Sequence, residues 1–385
     1  MNSPLPRLRD DVVIRRFDGD ARAAQFVAAV DGRHFLISDV AAALLEMTRE
    51  ASTPTALASR MTREFGRSYD TAELERTLRT RIPAVFFQRE DTARLGGPLS
   101  ARLRLFSAAA LAPLLEVLAT GFAPIVAIVL LGAFLVADAA VGAALWQQGL
   151  GVASSSSFAG ALALIVAGVA IHEVGHLSAC RRYGATHGGI GAGLYWCMPV
   201  FYAEVHGAWM LARKERAVVD IAGVYFQCVY LLVLATVWLA HPSGTVFVAL
   251  WSSHFLVLNT LNPVLKYDGY WLLCDLSGRY NLHAQIRAIA RQSLDSLWRG
   301  SCTPPPARDV ALLALFLALA TAYFAYLLYF MGHNLAYAAS NLSGDRSAWQ
   351  LSLASMGLVL LVAAAAGVSL LLARAVQSIV GHAPR

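Results

Sequence analysis

Residues 117–137 run for 21 positions without a charged side chain, and residues 139–171 for 33 more. A helix that crosses the hydrocarbon layer of a bilayer needs about 20 such residues. Runs of this length constrain the fold more than any other feature, because backbone in lipid must satisfy its own hydrogen bonds within helices or closed barrels. The charge lies elsewhere. Residues 1–104 hold 17 Arg and 14 acids, so 31 of the 56 charged residues sit in about a quarter of the chain. Hydrophobic residues make up 57% and charged residues 15%, against about 45–50% and about 25% in soluble domains. A uniformly soluble enzyme, a disordered chain and a collagen-like fibre are excluded. The expected fold class is an α-helical integral membrane protein preceded by a small α+β cytoplasmic domain at 1–95.

The 33-residue run is too long for one span and is interrupted by Gln147, Gln148 and the serines at 154–157. Hydropathy then predicts about six transmembrane helices, near 119–141, 158–180, 221–240, 245–265, 310–331 and 351–373. Arg181, Arg182, Arg213, Lys214, Arg216, Lys266, Arg279, Arg287, Arg291, Arg299, Arg308, Arg374 and Arg385 fall on one side with the Arg-rich N-terminal region. The other side carries only Asp345 and Arg346. The positive-inside rule then puts both termini in the cytoplasm. The Arg and Ala bias reads as the base composition of a GC-rich bacterium, so the expected location is a bacterial inner membrane, with the lipid bilayer as the first partner. Segment 188–204 (GGIGAGLYWCMPVFYAE) is apolar but carries four Gly and Pro199. It predicts a re-entrant loop or hairpin set against the bundle. Residues 96–118 read as a linker and interfacial helix, 119–280 as a core of four spans, 281–309 as a cytoplasmic connector, and 310–385 as two further spans. The five Cys are scattered and suggest neither disulfides nor a zinc knuckle.

The second span ends in IHEVGHLSACRR. His172 and His176 are four apart, so both imidazoles project from one helix face. That spacing can chelate one zinc ion, and Glu173 can serve as general base toward an attacking water. With ten His and ten Glu in 385 residues, composition alone predicts roughly 0.007 such matches. Ionisable groups inside an apolar helix are costly and default to a functional reading; the bland reading is a polar tie between helices. A catalytic zinc usually takes three protein ligands, so a third must come from elsewhere. The fourth span ends in LNTLNPVLKYDGYW, and Asp268 lies at a similar depth. It is the expected third ligand; otherwise it is a helix-end carboxylate paired with Lys266. His187, His206 and His254 are spare partners for metal or protons, or structural residues.

HEVGH in one span followed by NPVLKYDG near the end of a later one resembles the site-2 protease family of intramembrane zinc metalloproteases. The form NPVLKYDGYW, with FYAEVHGAWML between, is similar to its peptide zinc metalloprotease branch. The resemblance covers about residues 105–280. It implies that His172, His176 and Asp268 bind Zn2+, that Glu173 is the catalytic base, and that Asn262 and Asn259 hydrogen-bond the substrate backbone. The stretch between Arg181 and Ala217 is too short for a PDZ domain, so substrate choice resides elsewhere. Segment 188–204 offers a strand edge to an extended substrate. Tyr202 and Glu204 would then line the entry, unless Glu204 is only a solvated loop acid.

In the N-terminal region, strands are expected at 12–17, 24–30 and 33–37, with a hairpin turn at Asp31-Gly32. Helices are expected at about 39–48 behind Ser38, 54–65 behind Pro54's turn, and 70–81. Three strands and three helices suggest a winged-helix unit. The run DGRHFLISDVAAALLEMTREASTPTALASRM resembles the PqqD-like fold, the leader-recognition element of ribosomal peptide modification. That resemblance implies a leader peptide pairing near 33–37 and packing on 73–81. DNA binding through Arg60, Arg63, Arg67, Arg76 and Arg79 is the competing reading. A net charge of only +3 over residues 1–104 weakens it, so nucleic acid is not an expected partner. The leading expectation is a membrane-embedded zinc endopeptidase that removes the leader from a small peptide precursor. The alternatives are a regulated intramembrane protease acting on a membrane-anchored regulator such as an anti-sigma factor, and a non-proteolytic transporter.

Overall fold

The computed structural model describes residues 5–19, 25–31, 33–50, 53–88, 99–148, 158–195, 198–279, 281–299 and 303–341. The strands and helices expected in the N-terminal region form within a residue or two of their expected ends. Strands β1 (Val13–Arg16), β2 (Gln25–Val30) and β3 (Arg33–Ser38) form an antiparallel sheet in that order. Helices α1 (Asp39–Met47), α2 (Pro54–Phe65) and α3 (Thr71–Thr80) follow. Each begins on a side-chain cap: Ser38, Thr53 and Asp70 accept from the backbone N–H three residues on, which satisfies a donor the helix cannot. Helix α2 ends on Gly66 at φ 67, the left-handed closure that glycine adopts without strain. Leu44, Leu57, Met61, Leu74 and Leu78 form one buried cluster, and Leu8, Val12, Ala28, Leu45 and Phe86 another.

Strand β4 (Leu99–Phe106) comes next, then α4 (Ala108–Ala119), α5 (Pro124–Gln148) and α6 (Phe158–Tyr183). The strand corrects the reading of 96–118 as linker and helix alone. Leu99, Ala101, Leu103 and Leu105 alternate with Ser100, Arg102 and Arg104, a period of two that marks a strand. The glycine-rich segment is a hairpin of β5 (Ile190–Tyr195) and β6 (Met198–Ala203), and β4 pairs with β5 to give the antiparallel order β4-β5-β6. One face of this sheet, with Ile190 and Ala203, packs on α4 and α6 through Leu111, Leu115, Val174 and Leu177.

Helices α7 (Arg213–Ala240), α8 (Gly244–Thr260) and α9 (Asp268–Ser277) complete the region around the HEVGH helix. Trp238, Leu231, Leu234 and Leu250 are buried between helices there, with Val141 of α5. Separately, α10 (Leu282–Arg299) and α11 (Ala307–Asn341) belong to a second unit with residues 262–265. Among the described residues, four helices are long and apolar enough to cross a membrane, at Pro124–Gln147, Ala159–Tyr183, Arg213–Ala240 and Ala307–Tyr326. The helix expected at 245–265 is the shorter α8, and the one expected at 351–373 lies outside the described residues. The first begins at Pro124, five residues later than expected, because α4 stops at Ala119 and a short 3-10 turn intervenes. The connector at 281–309 is largely the helix α10, with Leu282, Ile286 and Ile289 buried.

Phe86 is 1% exposed and meets Phe35 at 4.9 Å between ring centroids. Phe86→Ala should destabilise the N-terminal domain by about 3–5 kcal/mol, the usual cost of deleting a buried aromatic ring. Hydrogen exchange should show faster amide exchange across 25–88 while α6 and α7 stay protected.

Candidate metal centre

Helix α6 carries His172, Glu173 and His176. Helix α9 begins at Asp268, and α7 supports both from the side. The His172 and His176 Nε2 atoms are 3.1 Å apart. Asp268 Oδ2 lies 3.0 Å from the first and 3.2 Å from the second. Two of these side chains are buried and the third half-buried. The Asp268 carboxylate therefore faces the imidazoles and not Lys266, whose ammonium lies 5.9 Å from the Tyr270 ring centroid.

The protons can be assigned from the outer partners. His176 Nδ1 is 2.7 Å from the Val219 carbonyl oxygen, which can only accept, so Nδ1 carries the hydrogen. His172 Nδ1 faces Gln227 Oε1 at 3.3 Å, again a donor to an oxygen. When neutral, both imidazoles aim an Nε2 lone pair inward, toward a carboxylate oxygen. Three acceptors about 3 Å apart repel one another unless a metal ion or a proton lies among them. Zinc bound at about 2.0–2.2 Å in tetrahedral geometry separates its ligand atoms by about 3.3 Å, close to all three observed edges. The residues present therefore fit zinc.

Two glycines make room for this arrangement. A Cβ at Gly223 would sit 2.5 Å from both Nε2 atoms, so only glycine lets α7 pass this close to the ligand nitrogens. A Cβ at Gly269 would collide with the Leu261 carbonyl at the end of α8, so glycine there lets α9 start where Asp268 reaches the imidazoles. Val219, Gly223 and Gln227 recur every four residues along α7 and form one stripe facing α6.

Glu173 follows His172 on α6, and the Ala203 backbone N–H, on the edge strand β6, hydrogen-bonds its carboxylate. The structure thus joins His172, Glu173, His176 and Asp268 with one end of β6. It does not bring Tyr202 or Glu204 there. Tyr202 packs over Gly191, and its cross-strand partners put it on the sheet face opposite Ala203. Glu204 accepts from the Gly189 N–H at 3.2 Å and pairs with Arg104 at 3.6 Å. Asn259 donates to the Phe255 carbonyl at 2.8 Å within its own helix. Asn262, in the other unit, is buried and accepts from the Val264 N–H at 2.8 Å. Of the spare histidines, His254 pairs with Asp138 at 3.1 Å, His206 stacks on His34, and His187 meets the Gly188 carbonyl.

Gly223→Ala keeps the helix propensity of α7 but should displace the two imidazoles and sharply lower zinc content. His172→Ala, His176→Ala and Asp268→Ala should each lose zinc as well. Elemental analysis of purified protein checks this; stoichiometric zinc persisting in all four would overturn the ligand set.

No family model matches the chain, and no solved structure matches it. Among curated proteins the chain is similar to a Bacillus subtilis (strain 168) protein named "Putative peptide zinc metalloprotease protein YydH". The two are 27% identical over 109 residues, which cover 27% of this chain and 42% of that protein's length.

Proposed function

We propose that this chain is a membrane-embedded zinc metalloendopeptidase of the site-2 protease type that cleaves a small peptide precursor, removing its leader during ribosomal peptide maturation. The observation that carries the hydrolase reading is the convergence of two imidazole Nε2 atoms and one carboxylate on the helix that also carries Glu173. The likeness to a protein named as a peptide zinc metalloprotease supports the same reaction class. His172, His176 and Asp268 would hold the metal. Bound zinc supplies a Lewis acid that polarises a carbonyl and acidifies water.

The chain's own residues do the rest. Glu173 takes a proton from the attacking water and returns it to the leaving amine. Gln227 and the Val219 carbonyl keep both imidazoles in the tautomer whose Nε2 is free, which raises their basicity as ligands. A substrate must present an unwound segment, because a helix hides its carbonyls in its own hydrogen bonds. The outer edge of β6 suits an extended peptide by strand addition, and Ala203 on that edge already contacts Glu173. The N-terminal sheet, whose β3 is an edge strand, is the leader-binding element in this reading. The enzyme sits in a bacterial inner membrane with both termini cytoplasmic.

Glu173→Gln tests the proton-transfer role alone, since the amide keeps size and cannot act as base. The variant should retain zinc and lose hydrolysis of a quenched-fluorescent peptide library in lipid nanodiscs by about 100-fold or more. Undiminished cleavage with bound zinc would sink the hydrolase mechanism.

A further inference from the structure

Helix α9 delivers Asp268 from its first residue, and its opposite end is held by α7 and by the N-terminal domain. Arg213 Nε donates to the Asp275 carbonyl at 2.6 Å and Nη2 to the Leu276 carbonyl at 2.5 Å. Arg216 is buried and meets Asp275 Oδ1 through Nε at 2.9 Å and Nη2 at 2.8 Å. Both arginines are in turn gripped by residues that directly follow β1. Asp18 Oδ2 accepts from the Arg213 backbone N–H at 2.9 Å, and the Asp18 carbonyl accepts from Arg216 Nη2 at 2.9 Å. The Arg216 guanidinium lies 4.4 Å from the Phe17 ring centroid. Phe17 meets Trp209 at 6.3 Å, and Trp209 meets Trp271 of α9 edge-on at 5.8 Å.

The contact is built into the helix ends. The residue before α7 is Ala212, which has no side chain able to cap it. Asp18, almost two hundred residues earlier, supplies the oxygen that Ser, Thr or Asp would supply locally. The buried Arg216–Asp275 pair is costly to form, and breaking one partner leaves an unpaired buried charge. Such a pair fixes geometry. A ten-residue helix is a rod about 15 Å long, so its C-terminal anchor sets where its N-terminal residue points.

The geometry points to a role for the N-terminal domain in assembling the metal centre: Phe17 and Asp18 lock Arg213 and Arg216, these seat α9, and α9 sets Asp268 against His172 and His176. Asp18, Arg213, Arg216 and Asp275 are positioning residues for the third ligand. The inference rests on the metal reading above and extends it from the ligands to the soluble domain. Whatever displaces Phe17 and Asp18 loosens the metal site, so occupancy of that domain by a peptide is coupled to the metal.

Zinc affinity of the full-length protein in detergent, measured by competition with a chromophoric chelator, tests the coupling without any substrate. Asp18 is exposed, so Asp18→Ala should fold. It should weaken zinc about tenfold, the low end for residues that orient ligands. Asp18→Asn keeps an oxygen acceptor and should stay near wild type. Arg216→Lys, a cation without the planar fork, should weaken zinc at least as much as Asp18→Ala. With Co2+ in place of zinc, the visible bands of Asp18→Ala should shift toward those of Asp268→Ala. Wild-type affinity and spectrum in both Asp18→Ala and Arg216→Lys, alongside a clear loss in Asp268→Ala, would overturn the coupling and leave the metal site standing. Wild-type affinity in Asp268→Ala itself would overturn the metal reading, and the inference with it.

Discussion

Everything at this site depends on how closely α7 approaches α6. The two imidazoles project from α6, but nothing on α6 fixes their rotation or their protons. That is done from α7, by the Val219 carbonyl on His176 and the Gln227 side chain on His172. The first needs the helix backbones near enough for a main-chain carbonyl to reach a ring nitrogen, and the second needs them within reach of a glutamine side chain. Gly223, midway between them, removes the one side chain that would fill the space where the Nε2 atoms point. Between helices in an apolar medium there is little hydrophobic drive to pack, so close approach comes from small residues and interhelical hydrogen bonds. The same stripe of α7 supplies both and leaves a pocket of lone pairs that only a cation relieves.

The sequence made the candidate ligands legible for a simple reason. Two His at a four-residue interval share a helix face whatever the helix packs against, so HEVGH carries its geometry locally. Asp268 was legible less directly, as an acid where an apolar run ends at a matching depth, and the structure puts its Oδ2 within 3.2 Å of both rings. The supporting shell was not legible. A backbone carbonyl such as that of Val219 has no sequence signature, and glycines are common in apolar helices, so Gly223 stands out only once its neighbours are known. Gln227, a buried amide in an apolar helix, was the one available signal.

The N-terminal elements were readable because caps and turn residues act within a few positions: Ser38, Thr53 and Asp70 start helices where the patterns put them. Strand β4 carries a local mark as well, a period of two that the reading of 96–118 as linker and helix passes over; its partner strand β5 lies some ninety residues on, and pairing at that separation leaves no local mark. Tyr202 and Glu204 lie beside the contact of Ala203 with Glu173 without joining the His–Asp cluster. An edge strand has two faces, and the one-residue alternation that puts Ala203 beside Glu173 turns its neighbours away.

Helix α9 is held electrostatically at both ends, which bears on how Asp268 can stay anionic where it is largely shielded from water. Asp268 is the first residue of α9, where the positive end of the helix dipole favours a carboxylate. Arg213 sits on the last carbonyls, where the negative end favours a cation. The helix thus offsets part of the cost of burying its acid before any metal arrives. Arg216 does not neutralise Asp268 itself; it pairs with Asp275 at the far end. Had the arginine lain beside Asp268, it would have competed with the metal for the same oxygen. Separating the two carboxylates by the length of α9 leaves one for structure and one for the cation, and makes the position of the helix the link between them.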